Sequence, residues 1–187
     1  VCELGYIPNS EFDFKPSTIY GESKVIGEKI IRDNISQSVD WLIVRPTSLW
    51  GPWFSIPYRN FFDAVLSGYY FHPKGVNVSR SYGFIDNSID QIVCLLNTED
   101  NRVLSSVHYL ADYKPLDIYE FACEINFHTT YSKIHTLPLW FFHLIAKFGD
   151  LLKKMGLKSV PMSTFRLKNM MTSAVYDTSS ISDVCCN

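Results

Sequence analysis

Apolar residues recur at helical spacing in several stretches of the chain, separated by short apolar runs that end at Gly or Pro. Val25, Ile26, Ile30 and Ile31, set among Glu28, Lys29, Arg32 and Asp33, predict an amphipathic helix over 19–33 with the branched residues inward and the charges toward water. Pro16 breaks structure ahead of it, and Ser17 or Thr18 can cap its first turn. Leu42, Ile43 and Val44 form a buried-strand pattern that stops at Pro46, with a turn at Gly51-Pro52. Phe61, Phe62, Val65 and Leu66 predict a helix over 60–67, stopped by Gly68. Residues 79–84 alternate like a strand, after which Asn87 or Ser88 caps an apolar helix through Ile89, Ile92, Val93 and Leu96. A short strand over 107–112 leads to a helix over 115–125, and another over 134–137 ends at Pro138. The most apolar helix covers 139–155, with Phe141, Ile145, Phe148, Leu152 and Met155 on one face and His143, Lys147, Asp150 and Lys154 on the other. Strands that alternate with helices predict an α/β fold.

Composition narrows the picture. A chain of 187 residues with 47% hydrophobic and 19% charged residues builds a globular core and is not disordered. A formal charge of −2 gives no reason to expect nucleic acid as a partner. Cys2, Cys94, Cys123, Cys185 and Cys186 show neither even pairing nor metal-ligand spacing, so reduced thiols in the cytoplasm are expected. Charges inside 139–155 exclude a membrane span, which needs about 20 largely uncharged residues. A basic zone at Lys147, Lys153, Lys154, Lys158, Arg166 and Lys168 would suit that helix to a membrane surface, but internal packing is the use expected of its apolar face. His72, alone before a Pro in a loop, reads as structural or solvated and not as catalytic.

Candidate chemistry begins with Tyr20 and Lys24, which a helix places one turn apart on one face. A phenol titrates near about 10, and an ammonium a few Å away favours its charged form, so the pair can transfer a proton near neutral pH. Together with Ser23, Glu28, Arg45-Pro46 and Gly51-Pro52, this pattern resembles the extended short-chain dehydrogenase/reductases, within them the NAD-dependent epimerase/dehydratase family. Arg80, Tyr82 and Ile85 fit that family's later Arg-x-Tyr-x-x-Val-x-Asp pattern, with Asn87 in place of its Asp. Residues 176–180 resemble its closing aromatic-Asp-x-Ser-Lys segment, with Ser180 where Lys is usual.

The resemblance implies the rear half of a Rossmann-like parallel sheet plus a small mixed α/β substrate-binding lobe. Expected boundaries are 1–55 and 85–112 for the Rossmann-like domain, and 56–84 and 113–187 for the lobe. It also implies a sequence of events: Tyr20 takes the proton of a sugar hydroxyl while hydride leaves the same carbon for NAD, with NADP left open. Lys24 assists Tyr20 and holds the cofactor ribose, Pro46 and Thr47 line the nicotinamide, and Ser48 and Arg80 meet the substrate, Arg80 at its diphosphate. The expected activity is that of a nucleotide-sugar epimerase; a dehydratase or 4-keto reductase of the same family is the alternative, and a non-catalytic binding module the alternative of another class. A homodimer through the helix over 20–33 is also allowed. No glycine-rich phosphate-binding spacing is present, and by the family pattern the catalytic Ser or Thr falls before Val1, so the chain looks like the rear part of a longer protein and is expected to be inactive alone.

Overall fold

The computed structural model describes residues 5–34, 39–56, 58–129, 133–157 and 160–185. In chain order its elements are α1 (Ile19–Asn34), β1 (Leu42–Pro46), β2 (Ser48–Trp50), α2 (Tyr58–Leu66), β3 (Phe71–Pro73), β4 (Ser79–Arg80), β5 (Tyr82–Phe84) and α3 (Ile85–Asn97). Then follow β6 (Ser106–Leu110), β7 (Leu116–Asp117), α4 (Ile118–Thr129), β8 (His135–Leu137), α5 (Leu139–Lys154), α6 (Thr164–Met170) and α7 (Ser179–Cys185). The chain divides into two compact units, one of residues 1–53, 80–115 and 174–187, the other of 54–79 and 116–173. Against the boundaries expected from sequence, residues 80–84, 113–115 and 174–187 fall in the first unit and 54–55 in the second; Ile181 of α7 is fully buried in the first unit's core, and that contact holds the C-terminal segment there.

In the first unit, β1 pairs in parallel with β6 from Leu42↔Ser106 to Pro46↔Leu110. β2 pairs in parallel with β5 from Ser48↔Tyr82 to Trp50↔Phe84. Thr47 extends the first pair, since its N–H (3.1 Å) and its hydroxyl (2.8 Å) both donate to the Leu110 carbonyl, and the Asp112 N–H, donating to the Tyr82 carbonyl at 2.8 Å, links the two pairs. The core gathers Leu95 of α3, Val103, Leu110 of β6 and Ile181 of α7, with Leu42 and Val44 packed against them. α3 starts directly after β5, earlier than an Asn87 or Ser88 cap predicts. Its anchor lies far away in sequence: Asp112 accepts from the Phe84 N–H at 3.1 Å and from the Asn87 amide at 2.8 Å. α3 and α7 run close enough for Cys94 and Cys185 to form a disulfide, their Cα atoms 5.8 Å apart, which corrects the expectation of reduced thiols at those two positions. Cys123 is free, while Cys2 and Cys186 lie outside the described residues.

α1 begins where expected, with Thr18 as its cap: the Thr18 hydroxyl accepts from the Gly21 N–H at 3.0 Å. Its buried face differs from the expected one. Gly21, Val25 and Glu28 point inward while Ile26, Ile30 and Ile31 are exposed. An arginine on β1 is the reason, described with the site below.

In the second unit, β3 pairs in parallel with β8 from Phe71↔His135 to Pro73↔Leu137. Phe61 of α2 stacks on Phe121 of α4, ring centres 5.8 Å apart. His72 is buried; its Nε2–H donates to the Val76 carbonyl at 2.7 Å, and the Tyr70 hydroxyl donates to its Nδ1 at 3.0 Å, a structural use. Ser163 caps α6, and Asp150 of α5 accepts from the Thr164 hydroxyl and N–H. α5 packs through Phe142, Ala146 and Gly149, near Leu167, Met162 and Met170. Of the face expected to be packed, Phe141, Ile145, Phe148 and Met155 are instead exposed and Leu152 is half-buried. Close approach decides this: a Cβ on Gly149 would collide with the Met162 carbonyl oxygen, so only glycine lets the following segment come so near. Lys158 of the expected basic zone lies outside the described residues.

Candidate active site

Arg45 is the fourth residue of β1 and would be costly to bury alone. Its Nε and Nη2 donate to the two carboxylate oxygens of Glu28 at 3.1 and 2.7 Å, and both side chains are buried, at 8% and 7% exposure. Arg32, one turn further along α1, donates to the same carboxylate at 3.0 and 3.2 Å and to Glu11 at 3.2 Å. Nη2 of Arg45 also donates to the Glu11 carbonyl, and its Nη1 to the Tyr109 hydroxyl at 3.2 Å. Burial by itself would raise the Glu28 carboxyl, but hydrogen bonds from Arg45 and Arg32 outweigh it and hold the group below the usual glutamate range. Burial likewise works against the Arg45 charge, and its bonds to Glu28 and Tyr109 more than restore it. This network turns Glu28 inward and fixes the rotation of α1 on the sheet.

With that rotation fixed, α1 presents Tyr20, Ser23 and Lys24 to a cavity of 770 Å³. Tyr20 is 70% exposed, and the Lys24 ammonium stands 5.2 Å from the centre of its ring. The junction of β1 and β2 contributes Pro46, Thr47 and Ser48, and the segment around β4 contributes Arg80 and Ser81. All six residues singled out from the sequence, Tyr20, Lys24, Pro46, Thr47, Ser48 and Arg80, therefore line one cavity.

Among the lining residues not proposed from the sequence are two aromatics, Tyr109 and Tyr176. Their rings stack with centres 4.8 Å apart and planes 18° apart. Tyr109 is the register partner of Arg45 across β1 and β6 and accepts its hydrogen bond. Tyr176 is pinned by its N–H donating to the Ser81 hydroxyl at 2.9 Å, beside a backbone bond from Ser81 N–H to the Ala174 carbonyl, also 2.9 Å. The signal for Tyr109 was its place at the end of a strand; nothing local in the sequence marks Tyr176 as its partner. The Arg80 guanidinium donates to the Tyr82 hydroxyl over a long 3.4 Å. Arg45 is paired with Glu28, and Lys24 and Arg80 bring further cationic side chains to a lining of phenols and hydroxyls. Such a set suits an anionic ligand rich in hydroxyls.

By sequence the chain matches no protein-family model and no curated protein. Solved structures do match. UDP-glucuronic acid 4-epimerase from Bacillus cereus, in complex with NAD, is 15% identical with a TM-score of 0.58 over 98% of this chain and 51% of its own. The NAD-dependent NDP-hexosamine 5,6-dehydratase TunA is 16% identical with a TM-score of 0.55, over 97% of this chain and 52% of its own. dTDP-4-dehydrorhamnose reductase from Bacillus anthracis, in complex with NADP, is 18% identical with a TM-score of 0.54, over 94% and 51%. The chain has their Rossmann-like α/β fold. It spans about half the length of each of these enzymes.

Proposed function

We propose that this chain is the catalytic and substrate-binding half of an NAD-dependent nucleotide-sugar epimerase of the extended short-chain dehydrogenase/reductase type. The observation that carries the reading is the pairing of Tyr20 with Lys24 at 5.2 Å on a cavity that also takes in Arg80. The residues present fit the nicotinamide-ribose end of the cofactor: an ammonium and a phenol for ribose hydroxyls, and Pro46, exposed at the end of β1, as an apolar edge for a ring. NAD, when bound, takes up and returns the hydride at the sugar carbon; NADP would supply the same chemistry.

Tyr20 accepts the proton of the sugar hydroxyl as that carbon is oxidised and gives it back when the carbon is reduced on its other face. Lys24 holds a positive charge one helical turn away, where it steadies the negative charge passing through the phenol. Thr47, its hydroxyl proton already committed to Leu110, keeps the β1–β2 junction rigid against the ligand. Ser48 offers a hydroxyl to the sugar, and Arg80 offers a fork of donors to a diphosphate.

A dehydratase or a 4-keto reductase would use the same pair and differ in product, and a binding module would yield none. The decisive experiment incubates the whole protein with NAD and UDP-sugars and follows the sugar C4 configuration by NMR. Conversion to the C4 epimer that is lost in Tyr20→Phe supports the epimerase; a 4-keto-6-deoxy product or no turnover overturns it.

By this reading the 187 residues alone are inactive, since the turn that holds the pyrophosphate in such folds has no counterpart in their sequence. The exposed stripe of Ile19, Ile26 and Ile30 on α1 supports pairing of two copies through this helix, which light scattering of the whole protein tests. No described helix is long and apolar enough to cross a membrane.

A further inference from the structure

α5 packs with its small side inward and its large side outward. Phe142, Ala146 and Gly149 form its buried face, whereas Trp140, Leu144, Phe148, Leu151 and Met155 stand exposed. At 100° per residue these five fall in one arc that runs the length of the helix. Trp140 is 63% exposed and Met155 72%, and Phe165 of α6 is 70% exposed in the same unit. A stripe of this size in water is an unfavourable surface that marks an interaction site.

Charge says what covers it. Between residues 139 and 173 the basic residues are Lys147, Lys153, Lys154, Lys158, Arg166 and Lys168 and the only acid is Asp150, in a chain whose formal charge is −2. Asp150 is occupied by the cap of α6, where it accepts from Thr164. Lys147 and Lys154 border the apolar arc on the side of Trp140 and Leu151, where their stems can lie along apolar surface and their ammonium groups reach outward. Pairing two copies through this stripe would bring these lysines toward one another, which like charges oppose. At 16 residues the helix is about 24 Å long, shorter than the hydrocarbon core of about 30 Å.

We propose that α5 is an in-plane anchor: its exposed apolar arc enters the head-group boundary of a lipid bilayer, and its lysines hold anionic head groups. The helix lies on the membrane and does not cross it. This surface belongs to the second unit and is independent of the activity assigned to the cavity.

The test is co-sedimentation of the whole protein with vesicles of phosphatidylcholine alone and of phosphatidylcholine with phosphatidylglycerol. Wild type binds the anionic vesicles and is released by high salt. Lys147→Gln/Lys154→Gln weakens binding about 25-fold, from about five-fold per basic residue at an anionic surface, and Leu144→Glu/Phe148→Glu abolishes it. Both variants alter exposed positions and keep the wild-type melt and turnover. Should the Glu variant not fold, the Gln pair decides alone. Failure of wild type to sediment with anionic vesicles overturns the proposal, as does unchanged binding by the Gln pair. So does a concentration-dependent dimer, lost in Leu144→Glu, that ignores lipid.

Discussion

Arg45 grips Glu28 through two hydrogen bonds, Nη2 to Oε1 at 2.7 Å and Nε to Oε2 at 3.1 Å, beneath the helix that carries Tyr20 and Lys24. This pair joins strand to helix and helps set which residues α1 turns toward the cavity. Removing one member of a buried ion pair costs about 3–5 kcal/mol when the other is left uncompensated, and Arg32 still holds Glu28 once Arg45 is gone. Arg45→Met should therefore lower stability by less than that, about 1–3 kcal/mol, and shift the urea midpoint without changing the native fluorescence of the surviving folded protein. A loss below about 1 kcal/mol would place the pair among the weak surface bridges.

Acid should act on the same pair. The Glu28 carboxyl titrates below its ordinary 4.5 in the folded protein, since the two arginines outweigh its burial. The folded state thus binds this proton less readily than the unfolded state. The contribution is complete above about 4.5 and is lost as pH falls through the lower folded value. Urea midpoints measured from about pH 7 down to about pH 3 should fall in that acid window. Glu28→Gln should be less stable at neutral pH and lose less on acidification.

Tyr20→Phe keeps the ring and deletes the proton acceptor, so kcat should drop by about 10²–10⁴ with an unchanged melt, since the side chain is largely exposed. Lys24→Met should weaken both cofactor binding and rate. Steady-state kinetics of the whole protein check both, and wild-type turnover in Tyr20→Phe would sink the assignment.

For Arg80→Ala the expected change is a higher KM for a nucleotide sugar with little change in stability. A sugar phosphate lacking the diphosphate should show a much smaller penalty, and equal penalties would mean that Arg80 serves the fold instead.

Gly149→Val should damage the second unit and leave the cavity alone. The new side chain would meet the Met162 backbone, which cannot rotate aside, and overpacking of this kind costs about 1–3 kcal/mol or more. A lower Tm with unaltered KM in the folded fraction is the expected pair of results.

Much of this was written in the chain, though unevenly. α1, β1 and the strand–helix succession follow from periodicity, and Tyr20, Lys24, Pro46, Thr47, Ser48 and Arg80 do line one cavity. Helix faces were harder. Glu28 looked like a solvent residue because amphipathic patterning sends charges outward, and only its partner on another element, Arg45, reverses that. α5 is apolar over most of its circumference, so its pattern offered several inward faces, and Gly149 and Ala146 chose among them by letting neighbouring backbone approach. Tyr176 showed only as the aromatic of a closing motif, with no sign of a place in the cavity: that depends on stacking with Tyr109, 67 positions away by number and 4.8 Å away between ring centres. Cys94 and Cys185 were missed for the same reason, a pairing across 91 positions.

That last pairing turns a linear chain into a lasso. Residues 116–173, most of the second unit, lie inside the loop that the Cys94–Cys185 bond closes. A protease that cuts once anywhere inside that loop leaves a single covalent molecule, and the two pieces separate on a gel only after a reducing agent opens the ring. Closure of a loop near this length also withdraws freedom from the unfolded chain worth roughly 4–5 kcal/mol. A thiol reagent would therefore destabilise the fold even though neither Cys94 nor Cys185 lines the cavity.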